Sequence, residues 1–369
     1  MATDQVLHMN GGVGETSYAK NCSIHRKVLF KEKPILEGSV IRVYHNLVPK
    51  CLKVADLGCS SGSNTLFIVS EIMDAIHAAS FSLNYQPPEF QFFLNDLVGN
   101  DFNTIFKLLP DFFKKLEMEK GKKFGSCFIA GVPGSFYRRL FPSNSMHFFH
   151  SSFGQHWLSQ VPKGLTSGGL PLNKGNIYVT ESSPPAVLRA YQEQFQEDFK
   201  LFLRLRSEEL VRDGGMLLIF LGRVETNELL SPFGLVGMTL HDMVLEGIVE
   251  EPKLDSFDIP FYTPTPEEVR QIIDAEGSFT LQRIEVLKIG WDADMNESEE
   301  DNIEVFDNKM RAKFIANYMR ACAEPLLTKQ FGSAIMDELF LRFMNKVVQL
   351  LEVKRLEHNN LVLSMTKNL

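Results

Sequence analysis

Between residues 52 and 134 short apolar runs alternate with longer stretches of helical spacing. "LKVADL" reads as a buried strand and "TLFIVSEIMDAIHAA" as an amphipathic helix. "EFQFFLND" is a second strand, "NTIFKLLPDFFKKLE" a second helix with an expected break near Pro110, and "SCFIAG" a third strand. Strand–helix alternation of this kind leaves few options. It calls for a parallel sheet with helices on both faces, an α/β fold, with ligands beyond the carboxyl ends of the strands. "SMHFFH", "NIYVT" and "GMLLIFLG" extend the strand series, with the long helix "AVLRAYQEQFQEDFKLFLRLRSEEL" before the last of them. "NNLVLSMTK" is the expected final strand.

From about 225 to 320 the pattern changes. Helical stretches such as "LHDMVLEGIVEE" and "FDIPFYTPTPEEVRQIIDAEG" are punctuated by Pro260, Pro264 and Pro266. The acidic "DADMNESEEDN" reads as an exposed loop. The expected layout is therefore a core over 1–224 that includes an N-terminal lid, a helical cap over 225–320, and a return to the core over 321–369.

With 369 residues the chain can bury a large core, and its net charge of -8 argues against a nucleic-acid binder. The basic stretch "KKLEMEKGKKFG" is interleaved with Glu and reads as a solvated helix end. Five cysteines without a CxxC pair, and no HExxH among nine histidines, argue against a disulfide scaffold or a zinc cluster. The absence of a secretory pattern or a spanning apolar run points to a soluble, cytoplasmic protein.

The turn "VADLGCSSGSN" carries the chemistry. Gly58 and Gly62 let backbone approach a ligand, but the spacing is neither the GxGxxG fingerprint nor a Walker loop. An acid, Asp56, stands at its mouth with no lysine nearby. A zwitterion such as the methionine part of S-adenosylmethionine suits such a turn: its ammonium meets the acid and its carboxylate meets amides. Asp96 ends the second strand, where a carboxylate can accept both ribose hydroxyls; Leu97 beside it could pack on adenine. A helix cap or turn is the plainer role for Asp96. Ser135 and Phe136, in "GVPGSFYRRLFP", could hold and stack a purine, or form a simple strand exit with a core ring.

Taken together, "MNGGVGETSYAKN", "VADLGCSSGSNT", "FLNDLVGNDFN", "GVPGSFYRRLFP" and "HSSFGQHWLSQVPKG" resemble the plant SABATH methyltransferases, as do "NKGNIYVT", "LDSFDIP" and "AEPLL…FG". The resemblance runs in order from about residue 5 to the C-terminus. It implies a Rossmann-like methyltransferase sheet with a helical cap, often a homodimer, that uses S-adenosylmethionine. It implies cofactor contacts from Tyr18, Cys59, Asn64, Asp96, Leu97, Ser135 and Phe136, with Asp56 and Ser152 close by. Phe153, His156 and Trp157 would line the pocket of a small aromatic acceptor. Asn173, Asp255, Phe257 and Asp258 fall where some members bind a cation such as Mg2+ at a non-catalytic site; Asp258 replaces the usual Asn.

Members of this family methylate carboxyl groups of small acids such as salicylate, benzoate and jasmonate, or ring nitrogens of xanthines. The carboxyl group usually meets a Gln after "SYAKN"; here His25 stands there and supplies one hydrogen bond where a primary amide supplies two. "KLLPDFFKKLEMEKGKKFGSC" and "SMHFFHSSFGQHWLSQVP" are closest in wording to the xanthine branch. The resemblance thus implies a xanthine alkaloid as acceptor, with a small acid as the alternative. No general base is named: the acceptor lone pair needs holding in line with the methyl, about 3 Å from it. Two other classes compete. "FFHSSFG" faintly resembles a GxSxG hydrolase elbow around Ser152, with His150 in place of the first Gly. A binding protein that has lost activity is the other, though Asp56, Asp96 and Trp157 are all present.

Overall fold

The computed structural model describes residues 7–120, 126–224, 230–296 and 306–368. Its N-terminal helices are α1 (Tyr18–Asn21) and the long α2 (Ser23–Leu47). The alternating unit follows: β1 (Cys51–Leu57), α3 (Asn64–Ser82), β2 (Glu89–Asp96), α4 (Phe102–Lys120), β3 (Cys127–Pro133) and β4 (Met146–Ser152). A two-residue hairpin, β5 (Thr166–Ser167) and β6 (Leu170–Pro171), precedes α5 (Pro185–Glu209) and β7 (Leu210–Gly222). Three helices come next, α6 (Pro232–Leu245), α7 (Glu251–Asp255) and α8 (Pro266–Glu276), then β8 (Phe279–Gly290). The chain closes with α9 (Asn308–Phe331), α10 (Met336–Val353) and β9 (Glu357–Lys367).

Seven strands form one sheet in the order β3-β2-β1-β4-β7-β9-β8. The five from β3 to β7 run parallel, and β9 alone is reversed, antiparallel to both β7 and β8. β7 shows why both faces must be covered. Its residues Gly214–Phe220 are all but continuously buried, whereas a half-exposed strand would alternate. Residues 215 and 220 face opposite sides. A Cβ on Gly215 would lie 2.6 Å from Val43 of α2, while the Phe220 ring meets Phe195 and Phe199 of α5. Helix α2 therefore covers one face, with α3 against it, and α5 covers the other, with α8 against it.

Four local expectations differ from the structure. "NIYVT" is an irregular segment, because the adjoining backbone is spent on side-chain contacts: Asn173 Nδ2 donates to Tyr178 O and Ser183 Oγ donates to Asn173 Oδ1. Helix α4 continues through Pro110 without a break in assignment. The segment 225–320 contains helices, as expected, but also β8, which pairs along its length with β9 and so belongs to the sheet. Of the acidic stretch, Asp292 and Asp294 are buried; Asp294 Oδ1 accepts from Gly290 N (2.6 Å) and Arg355 Nη2 (3.1 Å), and Asp292 Oδ2 accepts from Arg311 Nε (2.6 Å). Its residues 297–302, like 121–125 of the basic stretch, lie outside the described residues.

The helix that the proline-rich stretch forecast is well formed. Thr265 and Glu268 close a capping box, Pro266 occupies the first turn, and Gly277 at φ +82° ends α8. The same prolines hold an extended strap under the site. Leu158 N donates to Pro260 O (2.8 Å) and Tyr262 N to His156 O (2.8 Å), which fixes the "QHWL" segment against residues 260–262. Among the described residues, no helix is long and apolar enough to cross a membrane, and all five cysteines are free thiols.

Candidate active site

The carboxyl ends of β1, β2, β3 and β4 open into one cavity. One end is built on the turn after β1. Gly58 sits at φ +83° and Ser60 at φ +52°, conformations that turn successive amides toward a ligand. Asn95, a polar residue inside the apolar second strand, anchors this turn: its carbonyl accepts from Gly58 N and Cys59 N (2.8 and 2.9 Å). Its side-chain amide donates to Val132 O and Gly134 O (2.8 and 2.9 Å), so one residue ties three strand ends together.

Asp96 is aimed by the same framework. Its Oδ2 accepts from Ser60 N and its Oδ1 from Leu97 N, both at 2.7 Å. Each oxygen keeps a lone pair for a ligand. Burial pushes the carboxyl pKa up to about 6, while the two amides hold it down. Tyr18, Leu97, Ser135, Phe136 and Ser152 line the cavity as well. Asp56, Cys59 and Asn64 do not; they stand behind its wall. Asp56 is buried and its Oδ1 is 2.7 Å from His150 Nδ1. Asn64 Nδ2 donates to Cys22 O (3.2 Å), joining the turn to the start of α2.

The other end is aromatic. His25, Phe153, His156 and Trp157 all line it. The edge of one of the two rings His25 and Phe153 meets the face of the other at 4.2 Å, and Tyr18 Oη lies 3.3 Å from His25 Nδ1. Burial lowers the His25 pKa to about 4 and that of His156 well below the usual value, so both rings are neutral near pH 7. Leu221 N donates to His156 Nδ1 (3.1 Å), so the neutral ring carries its hydrogen on Nε2. Trp157 packs edge-to-face with Phe233 and Phe261 (5.7 and 5.3 Å), and Tyr137 Oη donates to the Trp157 carbonyl (2.7 Å).

Phe233, Phe261, Tyr318, His358 and Asn360 also line the cavity, and none was singled out from the sequence. The left-handed residue after β4 is Phe153 (φ +60°), not Ser152, so the strained serine of a hydrolase elbow is absent here. The expected cation positions are engaged by protein. Asn173 Nδ2 donates to Asp258 Oδ1 (3.1 Å), Asp255 Oδ1 accepts from Gly175 N (2.8 Å), and Phe257 is buried. Burial raises the Asp258 pKa to about 6. An amide NH2 turned into the set repels a cation, so these residues do not fit Mg2+. Among the described residues, no group of three or more His, Cys, Asp or Glu could hold a metal.

Residues 4–368 match the family described as SAM dependent carboxyl methyltransferase. The chain belongs to this family. A probable caffeine synthase of Coffea canephora is 45% identical, covering 100% of this chain and 98% of its own. A probable jasmonic acid carboxyl methyltransferase of Theobroma cacao is 46% identical, with 100% of both chains covered. A solved structure of loganic acid methyltransferase with SAH superposes with TM-score 0.83 at 32% identity, covering 98% of each chain. This methyltransferase therefore has the Rossmann-like fold expected of it and uses S-adenosylmethionine. The site fits that cofactor: Gly58 holds the left-handed conformation (φ +83°) that turns the amides toward the cavity, and Ser60 Oγ is buried without a partner.

Proposed function

We propose that this methyltransferase transfers the methyl group to a ring nitrogen of a flat, neutral heterocycle of the xanthine type. When bound, S-adenosylmethionine would supply an electrophilic methyl on a sulfonium; as the N–CH3 bond forms the S–CH3 bond breaks, S-adenosylhomocysteine departs, and the proton of the ring N–H is released to bulk water. Asp96 would hold the ribose, Leu97 and Phe136 the adenine, with Tyr18, Ser135 and Ser152 around it; Asp56, Cys59 and Asn64 keep the turn in shape from behind. Phe153 and Trp157 would clamp the acceptor ring, and His156 Nε2–H would donate to one of its carbonyls. The aromatic walls also exclude water, which leaves the acceptor lone pair free of hydration.

One observation carries this reading: the acceptor end is uncharged. His25 and His156 are neutral by burial, and no lysine or arginine among the described residues lines the cavity. A neutral ring enters such a place at little cost, whereas a carboxylate loses its hydration without gaining a cation of the protein. A second reading is carboxyl methylation of a small acid. It is favoured by the family description and by relatives such as a benzoic/salicylic acid carboxyl methyltransferase of Petunia hybrida, 42% identical over 100% of this chain and 99% of its own. Turnover with labelled cofactor separates the two: xanthines should be methylated with higher kcat/KM than benzoate, salicylate or jasmonate. We place the reaction in the cytoplasm and expect a homodimer, which size-exclusion chromatography with light scattering tests.

A further inference from the structure

His156 and Trp157 lie between the end of β7 and the strap 259–264. From β7, Leu221 N donates to His156 Nδ1 (3.1 Å). From the strap, Tyr262 N donates to the His156 carbonyl (2.8 Å), and Phe261 forms a single antiparallel β-bridge with Trp157. The ring centroids of Phe261 and His156 are 4.8 Å apart. The strap is fixed at its start, where Ile259 N donates to Ile177 O (2.8 Å) and Tyr191 Oη donates to Ile259 O (3.0 Å). At its far end it presses onto β7 at Gly222, where a Cβ would lie 2.7 Å from Pro264 O.

That far end is closed by a buried clamp. Arg223 follows β7 and is 3% exposed. Its backbone N donates to Pro264 O (3.0 Å). Its guanidinium donates through Nη1 to Thr263 O, and through Nη2 to Tyr262 Oη (2.8 Å) and Glu268 Oε1 (2.9 Å). Tyr262 Oη donates onward to the Glu268 carboxylate (3.1 Å to Oε1). Glu268 Oε2 also accepts from Thr265 N (2.8 Å), within the capping box of α8. Neither Arg223 nor Glu268 lines the active-site cavity. Arg223 and Tyr262 face a smaller cavity behind it, and Leu221, Pro232 and Phe261 line both. A buried ion pair adds little stability, because lost hydration offsets the attraction. What the planar guanidinium supplies is direction: its fork holds acceptors on the strap and on α8 at fixed angles.

We propose that Arg223, with Tyr262 and Glu268, is a positioning clamp for methyl transfer. By fixing the strap it fixes His156, whose carbonyl the strap holds and whose ring β7 holds. It thereby sets the angle at which the acceptor meets the methyl group. In-line transfer tolerates little displacement: a shift of about 1 Å costs about 100-fold in rate. The cofactor turn is tied to β2 through Asn95, away from the strap, so the clamp acts on the acceptor and not on the cofactor. The inference rests on the placement of the acceptor against His156 and Trp157 proposed above.

The test is a double-mutant cycle with labelled S-adenosylmethionine and the best acceptor of the wild type, whether xanthine or acid. It compares Arg223→Met, His156→Leu and the double variant, with the Kd for S-adenosylhomocysteine read by calorimetry. Arg223→Met should lower kcat/KM for the acceptor by tenfold or more and leave the cofactor Kd within twofold. The double variant should stay within threefold of His156→Leu alone, because the clamp acts through His156. Losses that multiply in the double variant, or a cofactor Kd that rises together with the loss, overturn the clamp. If Arg223→Met does not fold, Tyr262→Phe takes its place. It removes one hydroxyl and keeps the ion pair, and it should cost threefold or more in the wild type and nothing further in His156→Leu. A His156→Leu enzyme with unchanged kcat/KM overturns both the acceptor placement and the clamp. A wild type that prefers an acid overturns the heterocycle reading, and the same cycle then decides the clamp on that acid.

Discussion

We propose that Asp96 binds the cofactor as a carboxylate, and its raised pKa makes that testable by pH. Above about 6 the group is ionised and can accept from two ribose hydroxyls; below it, protonation removes one acceptor. Affinity for S-adenosylhomocysteine should therefore climb between pH 5 and pH 7.5 in the wild type and stay flat in Asp96→Asn. Asp96→Ala should weaken binding by more than about 100-fold, since each of two hydrogen bonds to a charged group is worth roughly 1.5–3 kcal/mol. Calorimetric curves for wild type and Asp96→Asn that run parallel would remove Asp96 from the site. His25 predicts the opposite behaviour. With a pKa near 4 it stays neutral throughout the range in which the enzyme is assayed, so any residual use of acids should show no step from this ring between pH 6 and 9. His25→Gln should improve acids more than xanthines, measured as kcat/KM, because it restores a two-hydrogen donor. Trp157→Ala should raise acceptor KM far more than cofactor Kd, as an aromatic contact adds roughly 0.5–1.5 kcal/mol beyond burial; equal losses would mean a folding defect. Asp96, Leu97, Ser135, Phe136, His25, Phe153, His156 and Trp157 were legible because each sits at a strand end or in a short motif. Asn95 was not. Its signal, one polar residue inside an apolar strand, looks the same as a polar residue at any strand end.

At the scale of elements, the loop that carries Ser135 and Phe136 is held from below by α5. Arg206, fully buried, donates to Phe136 O (2.9 Å) and Arg138 O (2.8 Å), and its Nε pairs with Glu209 Oε2 (2.9 Å). Glu209 Oε1 accepts from Leu140 N (2.6 Å) and Phe141 N (3.0 Å). The pair thus holds both ends of the loop from Phe136 to Phe141. Removing one partner of a buried pair costs about 3–5 kcal/mol, so Arg206→Ala should lower the melting temperature by many degrees. At temperatures where the variant remains folded, its cofactor Kd should rise while acceptor KM changes less; an unaltered cofactor Kd would confine Arg206 to stability. The long helix was plain from its helical spacing, but the role of "RSEEL" at its end was not, because its partners are 68 to 70 residues away. The same distance effect hid β8. "FTLQRIEVLKIG" has a mixed burial pattern at a sheet edge, and only its pairing with β9 makes it a strand. "NIYVT" failed in the other direction: strong β-propensity lost to side-chain contacts that hold an irregular path.

The whole molecule joins its two ends around the cavity. Leu7, His8 and Met9 line it from the N-terminal side, and Tyr318, His358 and Asn360 from the C-terminal side. Helix α2 couples these ends to the sheet, and it buries one acid with unusual consequences. Glu32 is 3% exposed, and burial, with Glu285 adding to it, raises its pKa to about 7. The folded state therefore holds a proton that the unfolded chain releases near pH 4.5, and stability falls as pH rises from there through about 7. Glu32→Gln should raise the melting temperature at pH 8 and leave it nearly unchanged at pH 5; the same increment at both values would contradict this. The sheet core and cofactor turn could be read from sequence because they are contiguous. The acceptor chamber could be read only in part, because half of its wall is assembled from segments more than 150 residues apart. The central claim is that this chamber receives a neutral heterocycle. The most direct measurement is transfer of a labelled methyl group to xanthine, its mono- and dimethyl derivatives, benzoate, salicylate and jasmonate under identical conditions. The account predicts the highest kcat/KM for a xanthine and little or no ester formation. Preference for any of the acids over every xanthine would contradict it.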